Sequence, residues 1–233
     1  MPWPVLLTTA ALVVAALAVE VAKGAPNLSA LLWRPSIRRF RRIDAASDWP
    51  PGAVLLYGSS TFAGWDEAAS ALAPWPVVNR GFGGARTVDL LRYADDVLAG
   101  GTPRAVVLFV ANDITGSPWD VSTRCAAALF EELLTTIRGR CADVPILWLE
   151  VNPTPRRRNV WPRIRELNAA FREVCGRFEG VHADAAWEGL LTGGEPDPRY
   201  FRADRLHLNA DGYRVFADGL LEALRRHVGE PAE

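Results

Sequence analysis

From residue 53 onward, short apolar runs alternate with longer segments in which apolar residues recur at helical spacing. Short uninterrupted runs are typical of strands that are buried on both faces of a sheet. They predict five strands, over residues 53–57, 76–78, 105–110, 145–151 and 180–183. The periodic segments predict helices over residues 87–99, 120–140, 160–178 and from 210 to about 228, with Asn209 as N-cap of the last. Such alternation predicts a three-layer α/β/α sandwich around a central parallel sheet of about five strands.

The N-terminus has a different pattern, because residues 5–19 form an uncharged apolar run. Its length is slightly below the ~20 residues that span a bilayer, so we expect residues 1–23 to be a membrane anchor or a secretory signal. Ala16-Leu17-Ala18 resembles a cleavage site, but no basic side chain precedes the run. The positive charges begin downstream at Lys23, which by the positive-inside rule favours membrane attachment with a cytoplasmic domain. The alternative is an exported, periplasmic protein after cleavage.

Residues 24–50 are expected to be a linker or amphipathic segment. Their prolines, at positions 26, 35 and 50 with a fourth at 51, predict that no long regular element forms there. A shorter amphipathic helix over residues 36–46, rich in arginine, fits between them. It would lie across the domain or across a membrane surface.

Composition narrows the function classes. The chain has 233 residues, enough for one α/β domain, and its 26 basic and 27 acidic residues give a net charge of -1. No overall field attracts a polyanion, so we expect no nucleic-acid partner. The cysteines, Cys125, Cys141 and Cys175, are odd in number and match no metal pattern. They are expected to be small apolar residues in helices.

Candidate chemistry follows the predicted strands, where open parallel sheets bind ligands. Gly58-Ser59-Ser60 follows the first strand, a glycine-rich stretch over residues 81–84 follows the second, and Asn112 follows the third. A hydroxyl at a strand-to-helix turn faces backbone N–H groups that favour developing negative charge. Taken alone, these three motifs also fit helix capping, a flexible loop and an Asx-turn, respectively, and helix capping is the more common role of a Gly-Ser-Ser turn.

The sequence Asp204-Arg205-Leu206-His207 near the C-terminus carries an acid and an imidazole three residues apart. On a tight turn the Asp204 carboxylate can accept the Nδ1–H of His207, which leaves Nε2 as a general base. The remaining two histidines are expected to be structural, because His182 ends a predicted strand and His227 lies in the last turn of a helix.

The four blocks YGSSTF, NRGFGG, AND and DRLHLNADGY, in this order, resemble those of the SGNH-hydrolase, or GDSL-like lipase/acylhydrolase, family. The resemblance covers roughly residues 50–228 and implies a flavodoxin-like catalytic domain over residues 51–233. By position it implies Ser60 as nucleophile, Asp204 and His207 as acid and base, and an oxyanion hole made by Ser60, Gly84 and Asn112. It also implies that neither a cofactor nor a metal ion is needed.

Two positions depart from the family pattern. Ser59 stands where an aspartate is usual, and Val110 stands where the third block usually has a glycine. The β-branched Val110 is expected to shift the Asn112 loop.

The implied reaction is ester hydrolysis through an acyl-enzyme, on a small-molecule, lipid or carbohydrate ester. Trp65 and Trp119 follow the first and third blocks and are expected to line the cleft. The arginine-rich stretch 155–163 is either a solvated loop or a rim that holds an anionic headgroup or acidic sugar through Arg158 and Trp161.

Alternative functions on the same fold are acyl transfer to a sugar hydroxyl and a catalytically silent binding module; a membrane-tethered scaffold is a further alternative.

Overall fold

A computed structural model describes residues 26–231 and contains a five-stranded parallel sheet. The strands are β1 Val54–Gly58, β2 Val77–Gly81, β3 Ala105–Phe109, β4 Ile146–Leu149 and β5 Val181–Asp184. Their spatial order is β2-β1-β3-β4-β5. The chain therefore leaves β1 toward one edge of the sheet, and from β2 it crosses to the other side. The end of β1 lies at this switch point, where such sheets form a crevice.

Helices cover both faces of the sheet. They are α1 Pro26–Asp44, α2 Ser60–Ala63, α3 Ala68–Ala71, α4 Thr87–Leu98, α5 Thr123–Arg140, α6 Trp161–Cys175 and α7 Ala210–Val228. Helices α1, α4, α5 and α6 pack on one face, and α2, α3 and α7 pack on the other. A small antiparallel hairpin, β6 Leu191–Thr192 and β7 Glu195–Pro196, precedes α7. The predicted three-layer sandwich with a five-stranded parallel sheet is confirmed.

The alternation of side chains along the strands builds two cores. In β1, Leu55 and Tyr57 join the core under α4 and α5, whereas Val54 and Leu56 join the core under α7. All four side chains are fully buried, as the unbroken apolar run predicts. Asn209 is the N-cap of α7, as predicted, and accepts a hydrogen bond from the Gly212 N–H at 2.9 Å.

Helix α1 corrects the prediction that prolines prevent a long element in residues 24–50. The helix runs for 19 residues with Pro35 inside it. Pro35 is exposed, so the hydrogen bond that it removes lies on the solvent side, while Ile37 and Phe40 are buried in the core. This burial outweighs the cost of the proline, and α1 begins ten residues before the predicted helix over residues 36–46.

The C-terminus of α1 is tied to the sheet by a buried ion pair. Asp44 accepts hydrogen bonds from the Arg80 guanidinium and from the Trp49 indole, the latter at 2.8 Å. The Arg80 guanidinium also lies 5.1 Å from the centre of the Phe40 ring. Residues of α1 and the loop after it thus cover the polar end of β2, which was predicted to end at residue 78.

Among the described residues, no helix is long and apolar enough to cross a membrane. The predicted anchor or signal over residues 1–23 lies outside the described residues. The three cysteines are free thiols: Cys141 and Cys175 are buried, as expected, but Cys125 is exposed on α5.

Candidate active site

Ser60 is the first residue of α2 and lies directly beyond the end of β1. Gly58, two residues earlier, lies so close to β3 that a Cβ atom there would be 2.2 Å from the Phe109 carbonyl oxygen. The Ser59 N–H donates to that same carbonyl at 2.9 Å. Close packing of β1 on β3 therefore requires glycine at position 58 and fixes the turn that presents Ser60.

His207 contacts both Ser60 and Asp204. Its Nε2 lies 3.1 Å from the Ser60 Oγ, and its Nδ1 lies 2.6 Å from an Asp204 carboxylate oxygen. Both distances are within hydrogen-bonding range. The structure thus brings together three side chains from two segments that are 147 residues apart in the chain.

The turn that carries Asp204 and His207 is held by its own backbone. Arg205 has a φ of 61°, which allows the chain to reverse between the two residues. The second Asp204 oxygen accepts from the backbone N–H groups of Leu206 and His207, at 2.9 and 3.0 Å. The Arg202 N–H donates to the His207 carbonyl at 2.7 Å, which closes the base of the turn.

These contacts also set the charge of Asp204. Partial burial raises its pKa, but hydrogen bonds from the His207 ring and from the backbone N–H groups of His207 and Leu206 outweigh this effect. Together they lower the pKa of Asp204 to about 2. The carboxylate is therefore ionised at neutral pH and can orient the imidazole through its Nδ1–H.

Gly84 and Asn112 lie beside Ser60 in one cleft of about 520 Å³. Gly84 has a φ of 77°, a conformation that favours glycine. The Asn112 amide donates to the Ala85 carbonyl at 3.0 Å, and its oxygen accepts from the Arg157 guanidinium at 2.7 Å. Val110 is fully buried in the core, so its side chain does not enter the cleft.

Arg157 is the residue that fixes the Asn112 amide. It lies in the 3-10 helix Pro155–Val160 after β4, where Thr154 caps its backbone N–H. Its guanidinium donates to both the Ala111 carbonyl and the Asn112 side-chain oxygen. Because the oxygen of Asn112 is held in this way, its NH₂ group points the other way, toward the Ala85 carbonyl.

Asp113 follows Asn112 and is buried, with hydrogen bonds from the Thr87 hydroxyl at 2.8 Å and from the Thr87 N–H. Burial raises the pKa of Asp113 from 3.8 to about 6, although the Thr87 hydrogen bonds and the Arg86 charge lower it in part. A carboxyl whose pKa is raised by folding binds its proton more tightly in the folded state. Its contribution to stability is therefore lost as pH rises from about 4 to 6.

We expect Asp113→Asn, which cannot titrate, to reveal this loss. The free energy of unfolding of the wild type, minus that of the variant, should fall by about 2 kcal/mol between about pH 4 and about pH 7. Urea unfolding of both proteins at several pH values measures the difference. A difference that stays constant over this range contradicts the assignment of Asp113 as the titrating group.

The four predicted substrate-binding residues have different positions. Trp119 is 43% exposed and lines the cleft. Trp65 does not: it is only 2% exposed and stacks on Tyr213 at 5.4 Å, because α7 covers it. Arg158 points to solvent and pairs with Glu195 at 3.1 Å, and Trp161 packs against Trp187. The prediction that Trp65 lines the cleft is therefore wrong, whereas Arg158 and Trp161 lie outside the cleft lining and their role on a rim stays a prediction.

Six side chains that line the cleft were not predicted as site residues: Trp33, Arg86, Thr115, Ser117, Arg157 and Leu206. Trp33 comes from α1, whose path no motif indicates, and packs on Phe82 with ring centres 5.8 Å apart. Arg157 is adjacent to Arg158, and only the 3-10 turn decides which of the two faces inward. A larger depression of about 670 Å³ between β5 and α7 contains none of Ser60, Asp204 and His207.

The other two histidines lie together elsewhere. His182 of β5 stacks on His227 of α7 with ring centres 4.4 Å apart. His227 Nε2 lies 3.2 Å from an Asp184 carboxylate oxygen. Neither lines the cleft that contains Ser60, and their structural role stays a prediction.

The sequence profile of the GDSL-like Lipase/Acylhydrolase family matches residues 45–215. The match covers most of the chain, and the protein belongs to this family. Its family membership supports a hydrolase that acts on ester bonds of small-molecule substrates. A search of curated proteins gave no match.

Several solved structures share the fold. A candidate platelet activating factor from Streptococcus pneumonia superposes with a TM-score of 0.72 at 22% identity, covering 82% of this chain and 91% of that one. A GDSL-like lipase from Bacteroides thetaiotaomicron gives 0.69 at 17% identity, with 82% and 97% covered. A lipase/acylhydrolase from Enterococcus faecalis gives 0.58 at 21% identity, with 78% and 98% covered. At these identities the similarity establishes the fold alone.

Proposed function

We propose that this protein is a serine esterase in which Ser60 is the nucleophile, His207 the general base and Asp204 the acid that orients it. The observation that carries the proposal is the continuous hydrogen-bonded chain from Asp204 through His207 to Ser60, with distances of 2.6 and 3.1 Å. A nucleophile, a base and an orienting acid within hydrogen-bonding reach are what acyl transfer requires.

In the first step the Ser60 Oγ attacks the ester carbonyl carbon while His207 Nε2 takes the hydroxyl proton. The negative charge that develops on the carbonyl oxygen is stabilised by the backbone N–H groups of Ser60 and Gly84 and by the Asn112 amide. Asn112 uses one amide hydrogen on the Ala85 carbonyl, which leaves the second for the substrate. Arg157 keeps the amide in this orientation.

In the second half of the reaction the tetrahedral intermediate collapses. The bond to the alcohol oxygen breaks, and the imidazolium of His207 gives its proton to the departing alcohol. Water then attacks the acyl-enzyme, with His207 again accepting the proton, and the carboxylic acid leaves as Ser60 is restored. Each proton that His207 accepts is returned, so the residue ends each cycle neutral.

The exposure of the site favours water as the acceptor. The side chains of His207 and Asp204 are 34% and 43% exposed, so solvent reaches the acyl-enzyme. A transferase must exclude water to pass the acyl group to a sugar. The intact geometry also argues against a silent binding module, which has no need of a base 3.1 Å from a serine hydroxyl.

We expect the full-length protein, purified in mild detergent, to hydrolyse 4-nitrophenyl acetate and butyrate. Release of 4-nitrophenolate measures the rate, and a tryptic digest that removes activity excludes a small-molecule contaminant. Adding a sugar acceptor and analysing products by mass spectrometry separates hydrolysis from transfer: free acid alone supports the proposal. Acylated sugar as the main product contradicts it, and so does the absence of turnover on any ester.

We further propose that residues 1–23 attach the protein to a membrane. The uncharged run over residues 5–19 supplies the apolar length, and exposed arginines on α1, among them Arg34, Arg38 and Arg42, supply the positive charge after it. The described part of the chain begins with α1, whose Trp33 reaches the cleft. Attachment through residues 1–23 would therefore hold the cleft close to the lipid surface.

Cell fractionation measures this attachment. The full chain should stay in the membrane pellet after an alkaline carbonate wash, and a variant without residues 1–23 should move to the soluble fraction. The positive-inside rule predicts that protease added to intact cells leaves the domain uncut. A full-length chain in the soluble fraction contradicts attachment, and cleavage in intact cells contradicts the cytoplasmic side.

A further inference from the structure

Two buried arginines line the cleft that contains Ser60, and neither is paired with an acid. Arg86 precedes α4 and Arg157 follows β4, and each is 8% exposed. Arginine is rarely this buried without a partner. Within residues 26–231, no carboxylate oxygen lies within 4.0 Å of either guanidinium, although ten other arginines make such contacts.

The contacts of both guanidinium groups are to neutral oxygens. Arg157 donates to the Ala111 carbonyl and to the Asn112 side chain. Arg86 makes one long hydrogen bond, from Nη1 to the Trp119 carbonyl at 3.4 Å, and its buried Nε has no partner among the described residues. A guanidinium has five N–H donors, so most of those on Arg86 are unused. Neutral acceptors satisfy donors but do not neutralise the charge.

Neighbouring acids are engaged elsewhere. Asp120 pairs with Arg163 at 2.8 Å, and Asp113 accepts its hydrogen bonds from Thr87. Asp89 accepts from the backbone N–H of Arg86 at 3.0 Å, but it does not reach the guanidinium. These carboxylates act on the two arginines only at longer range.

Arginine side chains are cations at neutral pH. Burial lowers the pKa of Arg157 to about 10, which is still well above 7. A buried cation without a partner is costly, because desolvation is not offset by an opposite charge. Two such groups facing one cleft leave an unbalanced positive charge that an anion can neutralise.

The other residues that line the cleft indicate which further chemical groups the ligand has. None of the residues that line the cleft is an aspartate or glutamate, so no side chain there repels an anion. Trp33, Trp119 and Leu206 give it an apolar wall, and Thr115 and Ser117 add neutral polar groups. The cleft therefore matches a ligand with an anionic group beside an apolar part.

We propose that Arg86 and Arg157 form an anion-binding subsite, and that the ester substrate carries a carboxylate or phosphate group. This inference rests on the proposed esterase function, since it concerns the substrate of the same cleft. Guanidinium groups bind both anions through two parallel hydrogen bonds. Arg157 has two roles in this arrangement: it holds Asn112 and contributes charge to the subsite.

The test compares pairs of esters in which a carboxylate is replaced by its neutral methyl ester. The first pair is 4-acetoxybenzoate and its methyl ester, with the charge on the alcohol part. The second is mono-4-nitrophenyl adipate and its methyl ester, with the charge on the acyl part. The quantity measured is the ratio of kcat/KM for the charged ester to that for the neutral one.

We expect the wild type to prefer the charged ester in at least one pair by about 10- to 100-fold, mainly through KM. Arg86→Gln should lower this ratio about tenfold. Arg158→Gln is the matched control, because Arg158 is exposed, pairs with Glu195 and lies outside the cleft. It should leave the ratio unchanged.

Inhibition of the wild type gives a second measurement, which holds even if Arg86→Gln fails to fold. Benzoate and phenyl phosphate should inhibit hydrolysis of the neutral ester at least about tenfold more strongly than benzyl alcohol does. The stronger of the two anions identifies whether carboxylate or phosphate is preferred.

A wild type that hydrolyses neutral esters without preferring either charged ester, and that anions do not inhibit, overturns the subsite but leaves the esterase function standing. An equal fall of the ratio in Arg86→Gln and Arg158→Gln also overturns it, because general surface charge would then account for the preference. Absence of hydrolysis on all four esters overturns both proposals.

Discussion

Replacing Ser60 with alanine is expected to lower kcat for 4-nitrophenyl esters by about 10⁴-fold or more. The variant lacks the oxygen that forms the acyl-enzyme, and only substrate binding and the oxyanion hole remain to accelerate attack by water. KM should change much less than kcat, because the walls of the cleft are intact. Steady-state kinetics of the wild type and the variant, with a matched melting temperature, measure the effect.

Ser59→Ala is the matched control for this variant. Ser59 precedes Ser60 and is fully buried, and its hydroxyl has no hydrogen-bond partner among the described residues. Removing that hydroxyl therefore breaks no contact, and activity should stay within a few-fold of the wild type. If Ser60→Ala remains active, or if Ser59→Ala loses as much activity as Ser60→Ala, the assignment of the nucleophile is wrong.

Asp204→Asn is expected to give the second-largest loss, about 10³- to 10⁴-fold in kcat. The carboxylate accepts the His207 Nδ1–H at 2.6 Å, and this keeps Nε2 unprotonated as a base. With an asparagine amide donating at this position, Nδ1 becomes the acceptor and Nε2 carries the proton. His207 then cannot take the proton from Ser60.

The turn itself should survive this substitution. One Asp204 oxygen accepts from the backbone N–H groups of Leu206 and His207, and an asparagine oxygen can do the same. Asp211→Asn, at an exposed acid on α7, is the control and should keep full activity. A loss of less than tenfold in Asp204→Asn, with unchanged stability, contradicts its proposed role in holding the tautomer.

Much of the fold could be predicted because the strands are buried on both faces. The runs that contain β1, β3 and β4 are apolar without alternation, and short runs of this kind between helical segments favour buried parallel strands. The polar end of β2 could not be predicted. Its Arg80 is buried through a pair with Asp44, which is 36 residues away in the chain, and a local pattern carries no sign of that contact.

Helix α1 is a second element that the local sequence pattern does not predict. A local rule about proline predicts an interruption at Pro35, whereas burial of Ile37 and Phe40 against the core decides the outcome. The energy that holds the helix comes from contacts with distant residues, and it exceeds the loss of one solvent-facing hydrogen bond.

The candidate site likewise contains residues that the sequence indicates and residues that it does not. Asp204 and His207 were indicated by their spacing of three residues, and Ser60 was indicated by the resemblance of the four sequence blocks to those of the family. The walls of the cleft depend instead on which side chains distant elements bring together. Trp33 reaches the cleft from α1, and the inward position of Arg157 is set by the 3-10 turn that begins at Pro155.

The most direct test of the central claim is covalent labelling with a fluorophosphonate, followed by peptide mass spectrometry. We predict a single adduct on the oxygen of Ser60 that is absent in Ser60→Ala, retained in Ser59→Ala and formed much more slowly in Asp204→Asn. An adduct on another residue, or an active esterase that forms none, would contradict the account.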